Sequence, residues 1–220
     1  MKRVLFTIAF AFTALFVLSN SGANAVNNTF AERFRVDGKP GKMGDSGIYN
    51  FDKAHSFIGF KVRHMGLIEV PGFFRDFTGV VNFNAADVTK STVEFTAKAA
   101  SIDTGVAGRD KHLRTADFFE VEKYPDLIFK STKVEKKGKG WILTGDLTIK
   151  GLTKSISFPF QIVGWLPADE RSGGKMGIDA ETTINRRDYG VNYGSTLPGG
   201  VQALSDEVKI DLQIEARKAK

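Results

Sequence analysis

Hydrophobic and polar positions alternate along this chain with a period of two, in about eight bursts between residues 57 and 215. That period puts successive side chains on opposite faces of a strand, so it predicts an all-β domain built on a mostly antiparallel sheet. In the first burst Ile58, Phe60, Val62 and His64 share one face, with Phe57, Gly59, Lys61 and Arg63 on the other. Phe77, Gly79, Val81 and Phe83 make the second, and Val93, Phe95, Ala97 and Ala99 the third. Segments 127–133, 141–150 and 154–165 follow, then 176–184 and 208–214, the last two with acids on their polar faces. Pro159 lies on the face opposite Phe158 and Phe160 and has no N–H to give, which predicts an edge, a bulge or a seam in that strand.

The alternation stops after Ile102. Thr104 or Gly105 suits the start of a short helix near 106–120, and Pro125, which keeps Tyr124 extended, closes this insertion between the third and fourth strands. A second irregular stretch, residues 185–205, is long and glycine-rich and holds Tyr189, Tyr193 and Pro198. A loop of that length in a compact domain is usually functional or disordered.

Eight strands closed into a ring leave an interior wide enough for their own side chains or for one small ligand. The inward rows supply Phe60, Val62, Val81, Phe83, Phe95, Phe129, Leu147, Ile149, Ile156, Phe158, Phe160, Ile178, Ile184 and Ile210 as a candidate lining. Two readings follow: these side chains line an apolar cavity, or they meet in the middle as a filled core. Alternation alone is compatible with both.

The chain opens with Lys2 and Arg3, an uncharged apolar run over 4–18 and Ala23-Asn24-Ala25, the pattern of a secretory signal peptide cleaved after Ala25. A run that short falls below the length of a bilayer span, and no later segment reaches it, so the mature form is expected without an integral membrane span and in a bacterial periplasm. Removing Lys2 and Arg3 from 31 basic residues leaves 29 against 25 acidic, a net of +4, and the charges are interspersed. That mixture argues against nucleic-acid binding. The chain has no cysteine, which excludes disulfides, thiol catalysis and thiolate metal sites. His55, His64 and His112 are the only histidines, and no metal site or catalytic constellation is read from them.

Several segments together resemble the YceI-like family, also called polyisoprenoid-binding proteins. They are His55-Ser56 with Phe60 and His64, Gly72-Phe73-Phe74 with Phe77, the run Arg109-Asp110-Lys111-His112-Leu113-Arg114, Asp117-Phe118-Phe119, Tyr124-Pro125, 145–151 and 185–190. The resemblance implies a single lipocalin-like antiparallel barrel whose apolar cavity holds an isoprenoid or other lipid-like chain, usually in exported bacterial proteins. Isoprenoid quinones, isoprenyl phosphates and fatty amides are the ligand types it suggests. The expected organisation is a signal peptide over 1–25, an exposed lead-in over 26–47, the barrel over 48–216 and a basic tail over 217–220.

Polar residues fall where they could close one mouth of such a barrel. Arg109 and His112, three apart on the inserted helix, face the same way, while Asp110 and Arg114, four apart, can pair. His64 and Arg186 end inward rows. These six are candidates for a head group, Arg because its planar fork donates two bonds at once to phosphate. The alternative makes them a structural network that ties the insertion to its neighbours. Asp110 and His112 are poorly placed as an acid and base pair, because residues two apart on a helix diverge. The function expected is therefore a binding protein for a long-chain lipid, with no other cofactor and pairing into a homodimer left open. The alternatives are an enzyme acting on an amphiphile at the mouth, or a ligand-free structural or stress-response barrel.

Overall fold

The computed structural model describes residues 44–220, except 139 and 169–172. The signal peptide and residues 26–43 of the lead-in lie outside the described residues. Eleven strands form one antiparallel sheet: β1 (Gly47–Phe51), β2 (Phe57–His64), β3 (Ile68–Phe74), β4 (Phe77–Phe83), β5 (Thr92–Lys98), β6 (Ile102–Asp103), β7 (Asp126–Lys137), β8 (Gly140–Ile149), β9 (Leu152–Leu166), β10 (Lys175–Asn185) and β11 (Leu204–Lys218). β1, β4, β5, β7, β8, β9, β10 and β11 pair in that order, and β1 pairs back onto β11. This ring of eight is the expected closed barrel. Among the described residues the one α-helix, α1 (Ala107–Leu113), sits in the insertion after the third burst.

Three strands were not legible in the period. β1, β3 and β6 are continuations across a kink: β1 runs into β2, β3 into β4 and β5 into β6. The kinks lie level and are tied together, with Lys53 Nζ 2.9 Å from Asp76 and Arg75 Nε 2.9 Å from Asp103. Ser101 Oγ accepts from the Asp76 N–H at 3.0 Å. β11, fifteen residues long, spans both levels: Leu204 to Gln213 face β2, and Ala216 to Lys218 face β1. β3 escaped notice because Pro71 and Gly72 interrupt its alternation. Its Pro71 pairs with Lys61 of β2 and has no recorded partner in β6, where its missing N–H costs nothing.

Pro159 occupies a seam. Residues 152–160 of β9 pair with β8, whereas β10 joins only from Phe160 onward. Beyond Ala180 the two strands part, and the space between them is taken by the turn at Arg186–Tyr189 that leads out of β10.

The far end of the barrel is corked by aromatic rings. Tyr49 meets Phe83 edge-on at 6.3 Å and Trp165 at 5.7 Å, Phe83 lies 4.7 Å from Trp165, and the Tyr49 hydroxyl donates to the Asp45 carbonyl at 2.7 Å. At mid-height Phe95 stacks on Phe129 at 5.3 Å and Phe129 meets Phe158 at 5.6 Å. Gly145 makes that stack possible, because a Cβ there would stand 2.4 Å from the Phe129 ring and 2.6 Å from the Lys130 carbonyl oxygen.

On the polar face of β10 and β11 the acids foreseen opposite the last two bursts form a cluster. Burial raises the Asp179 carboxyl above its ordinary range, and Asp211 and Glu181 push the same way. A carboxyl raised in the fold holds its proton better folded than unfolded. Its contribution is therefore favourable in acid and is lost as pH climbs through the raised value. Asp179→Asn should stabilise the protein at pH 7 by roughly 0.2–1 kcal/mol, the scale of one cross-strand charge contact. Urea unfolding should show the gain shrinking toward zero below about pH 4; a gain independent of pH would contradict the assignment.

Candidate functional site

The barrel interior is divided. At the end formed by the β2–β3 turn, the insertion and the β10–β11 loop lies a chamber of about 590 Å³. That falls within the ~300–1,000 Å³ usual for small-molecule pockets. At the other end lies a void of about 60 Å³. The division can be followed strand by strand. On β7, Leu127 faces the chamber, Phe129 lines neither space and Val134 faces the void; on β8 the same order is Ile149, Leu147, Leu143. Phe129 and Leu147, both buried, fill the barrel between them.

The foreseen single lining is thus split in three. Phe60, Val62, Ile149, Ile184 and Ile210 line the chamber. Val81, Phe83, Phe95, Phe158, Phe160 and Ile178 line the small void. Phe129, Leu147 and Ile156 line neither and belong to the packed middle. Cavity and filled core are therefore both present, at different heights. Gly72 shapes the chamber wall: a Cβ there would stand 2.3 Å from the Phe60 ring, so its absence lets the ring lie against β3.

The chamber also takes side chains that the alternation did not reveal. Ile68, Val70 and Phe74 come from β3, Leu204 from the start of β11, Leu113, Phe118 and Phe119 from the insertion, and Tyr189, Val191 and Tyr193 from the β10–β11 loop; Val208, of the eighth burst, lines it as well. The adjacent pair Phe118-Phe119 was the one available signal, an apolar doublet inside the stretch predicted helical near 106–120 but beyond the observed helix, which ends at Leu113. Turn chemistry accounts for Asn185 at the head of this loop, whose side chain accepts from the Arg187 N–H at 2.9 Å, but not for Tyr189 and Tyr193, which line the chamber.

The six polar candidates separate into two groups. Arg109 and His112 share the chamber face of α1, as their spacing implies, and His64 joins them from β2. Arg109 donates from Nε to Thr104 Oγ1 at 2.7 Å and from Nη2 to the Thr104 carbonyl at 2.8 Å. His112 Nε2 lies 2.7 Å from Asp117 Oδ2, and its ring sits edge-on to Phe118 at 5.1 Å and Tyr193 at 4.9 Å. Those stacked rings clasp the insertion to the β10–β11 loop.

Asp110, Arg114 and Arg186 spend their polar atoms on the fold. Asp110 is buried and accepts from the Thr104 N–H at 2.9 Å and from the Thr104 hydroxyl. Its expected pairing with Arg114 does not form: Arg114 turns instead to the Ala100 and Ile102 carbonyls, at 2.7 and 2.8 Å, because that anchors the helix end to β6. Neither residue lines the chamber. Arg186 does, but all five of its N–H groups are taken. Nε donates to Ser205 O at 2.9 Å, Nη1 to Val191 O and Tyr193 O at 2.6 and 2.7 Å, and Nη2 to Leu204 O and Asp206 Oδ1 at 3.4 and 3.2 Å. Burial lowers this guanidinium's pKa, neighbouring Arg187 adds to the effect and Asp206 opposes it. Tyr189 is buried beside it, its phenol pushed up to about 12 by burial first and Asp188 second. Among the described residues its hydroxyl has no hydrogen-bond partner.

Asp110 and His112 point to different sides of the helix and make no acid and base pair. Asp52, His55 and Glu215 bring three potential metal ligands within 4.8 Å of one another outside the chamber, but Arg217 bonds Asp52 and Lys175 bonds Glu215 at 2.9 Å, so cations of the chain already occupy the cluster. Among the described residues no helix is long and apolar enough to cross a membrane.

Comparison with known proteins bears on this arrangement. The model of the YceI-like domain matches residues 49–216. The chain belongs to the YceI-like family. Protein YceI of Escherichia coli is 38% identical over 146 residues, which are 65% of this chain and 75% of that protein. A YceI protein of Campylobacter jejuni superimposes with a TM-score of 0.63 at 33% identity, over 77% of this chain and 96% of that one. A polyisoprenoid-binding domain from Saccharophagus degradans, implicated in plant cell wall breakdown, superimposes with a TM-score of 0.57 at 14% identity, over 78% of this chain and 98% of that one, a likeness of fold. The recognised segments of this YceI-like chain fall on both halves of the site: Phe60, His64, Gly72 and Phe74 in its wall, Arg109, His112, Phe118 and Phe119 in its cover.

Arg186→Met should keep the bulk of the side chain and take its donors from four carbonyls, while Asp206 Oδ1 keeps its bond from Arg187 Nε at 2.6 Å. The expected cost is about 3–5 kcal/mol, read by urea unfolding, with hydrogen exchange rising first in the β10–β11 loop. A loss under 1 kcal/mol would show that the loop does not depend on this cation.

Proposed function

We propose that this protein is an exported binding protein that holds a polyisoprenoid or similar long-chain lipid in the chamber, without turning it over. The observation that carries the reading is the chamber itself: apolar walls along its depth, with His64, Arg109 and His112 among its polar side chains. A lipid with an uncharged tail and a polar head matches that gradient. Each methylene buried is worth about 0.8 kcal/mol before ordering costs are subtracted, so a few isoprene units suffice for useful affinity. Membership of the family supports a lipid-binding barrel. An isoprenoid quinone, an isoprenyl phosphate or a fatty amide is the proposed ligand, and the periplasm, reached through the leader over 1–25, is the proposed location.

The direct test is to recover the protein from the periplasm of an expressing bacterium, extract it with organic solvent and identify what it carried by mass spectrometry. A long-chain isoprenoid or amphiphile present in near-stoichiometric amount is the expected result; protein that carries nothing and captures no added lipid would overturn the reading. Gly72→Ala sharpens it. The new Cβ pushes the Phe60 ring off the wall and into the chamber, so the longest chains should be lost first at a stability cost of about 1–3 kcal/mol.

Arg109 and Arg114 make a matched pair of tests, since one faces the chamber and the other the barrel wall. Arg109→Ala should weaken capture of a phosphate-headed or carbonyl-headed lipid about tenfold while sparing a plain hydrocarbon, since a charge-assisted hydrogen bond is worth roughly 1.5–3 kcal/mol. Arg114→Ala should lower the melting temperature and affect both ligand types alike. Equal losses from Arg109→Ala for the two ligands would assign Arg109 to the structural network instead.

A further inference from the structure

We propose that the mouth end of the barrel docks on the surface of an anionic lipid bilayer, with the β2–β3 turn as its inserted tip. The inference rests on reading the chamber as a lipid site. It starts from side chains that folding does not account for. The turn between β2 and β3 carries Met65, Leu67 and Ile68, and Leu67 and Ile68 are 75% and 62% exposed. Met65 and Gly66 both adopt positive φ, 53° and 71°, so this is a tight turn, where polar residues and glycine are the usual occupants. Apolar side chains held out in water at such a position contribute almost nothing to the core.

The turn does not stand alone. The Met65 N–H donates to the Ala203 carbonyl at 3.0 Å, and the exposed Val201 lies 3.6 Å from where a Cβ on Gly66 would be. Exposed Tyr193 follows on the same loop. Together they make one apolar ridge. Away from the mouth end, the exposed large apolar residues are Ile48, Val80 and Leu166, spread over the wall and the far end. Ile68 belongs both to the ridge and to the chamber lining, so an apolar path runs from the outside edge into the cavity.

Charge selects the partner. Among the described chamber-lining residues no carboxylate is present and Arg109 brings a cation without a carboxylate partner, whereas Arg186 is matched by Asp206 and His112 by Asp117. Exposed Lys111, turned away from Arg109 on the outer face of α1, adds a cation to the outside of the cover. An apolar tip beside a mouth whose lining carries a cation and no carboxylate fits the interface of a membrane with acidic head groups, the tip entering the acyl boundary and the cations of the cover meeting phosphates. The same surface is where a long apolar chain resides before it is carried. Docking would let the chain pass along Ile68 into the chamber without crossing water.

The test uses the mature full chain and vesicles of phosphatidylcholine with or without phosphatidylglycerol, read by co-sedimentation. The parent should partition to the anionic vesicles and only weakly to the neutral ones, with binding reduced by salt. The double variant Leu67→Gln with Val201→Gln changes ridge residues that do not line the chamber, and it should partition roughly tenfold less well while its melting temperature stays at the parent's. Lys111→Glu, on an exposed helix face, is the independent second variant and should weaken binding to anionic vesicles only. Partition that ignores lipid charge, or that both variants leave intact, overturns the proposal. So does a parent that never sediments and whose dimer the double variant dissociates in size-exclusion chromatography, because the ridge would then be a contact between copies. Extraction of carried lipid keeps the two readings apart. Lipid carried by a protein that ignores vesicles defeats docking alone, whereas variant-sensitive vesicle binding by a protein that never carries lipid upholds docking and removes the carrier.

Discussion

Everything in this molecule depends on the backbone pairing of β11, which closes the ring at two levels. Its first part bonds to β2 and its last part to β1, while β10 runs beside it along most of its length. Because one strand carries both seams, the kinked wall of β1–β2, β3–β4 and β5–β6 is held as a single sheet although each of its members is broken. The two sides of the kinks serve different spaces: β2 and β3 give Phe60, Val62, Ile68, Val70 and Phe74 to the chamber, while β4 and β5 give Val81, Phe83, Val93 and Phe95 to the void.

The interior is filled where the ring is complete and roomy where it is not. At mid-height Phe95, Phe129 and Phe158 stack across the axis, and Gly145 removes the one Cβ that would block them. Above that level β9 and β10 separate, and the wall between them is made by a loop rather than a strand. A loop at that position exposes carbonyls to an apolar interior, and unpaired buried carbonyls are costly. Arg186 resolves this by donating to four of them at once, with Asp206 offsetting its charge. The buried guanidinium is thus a consequence of leaving the barrel partly open.

How much of this was legible in the sequence follows from how far each feature is local. The alternation located eight strands and their inward faces, because parity is a property of consecutive residues and closure into a ring needs only their number. Helical spacing placed Arg109 and His112 on one side and Asp110 and Arg114 on the other. The height at which an inward residue sits was not readable: Phe60 and Phe95 carry the same parity, yet one meets the chamber and the other the void, and only register across neighbouring strands decides which. The partners of Arg114 and Arg186 were hidden for a similar reason. Both donate to backbone carbonyls, and every residue offers one, so no side-chain pattern announces them. β3 was concealed by Pro71, a breaker in most sheets that is harmless where no neighbouring strand is paired on its other edge.

The division of the polar residues has a consequence for selectivity under the proposed function. Affinity for a hydrocarbon tail comes from area removed from water and is nearly blind to the identity of the chain. Discrimination between head groups must come from polar atoms that remain available at the mouth. Arg186 lines the chamber with every donor already engaged, and Arg114 and Asp110 face away, so the cation count of the region overstates what a ligand can use. Arg109 retains its Nη1, with Nε and Nη2 held by Thr104, and that hold fixes the direction in which the free edge points. His64 stands on β2, so the two come from different elements: a strand paired with β11 and β3, and a helix clasped through His112 and Tyr193. A head group that bridged them would tie the cover to the wall, so discrimination between heads would fall to Arg109 and His64 rather than to the larger set of polar residues around the mouth.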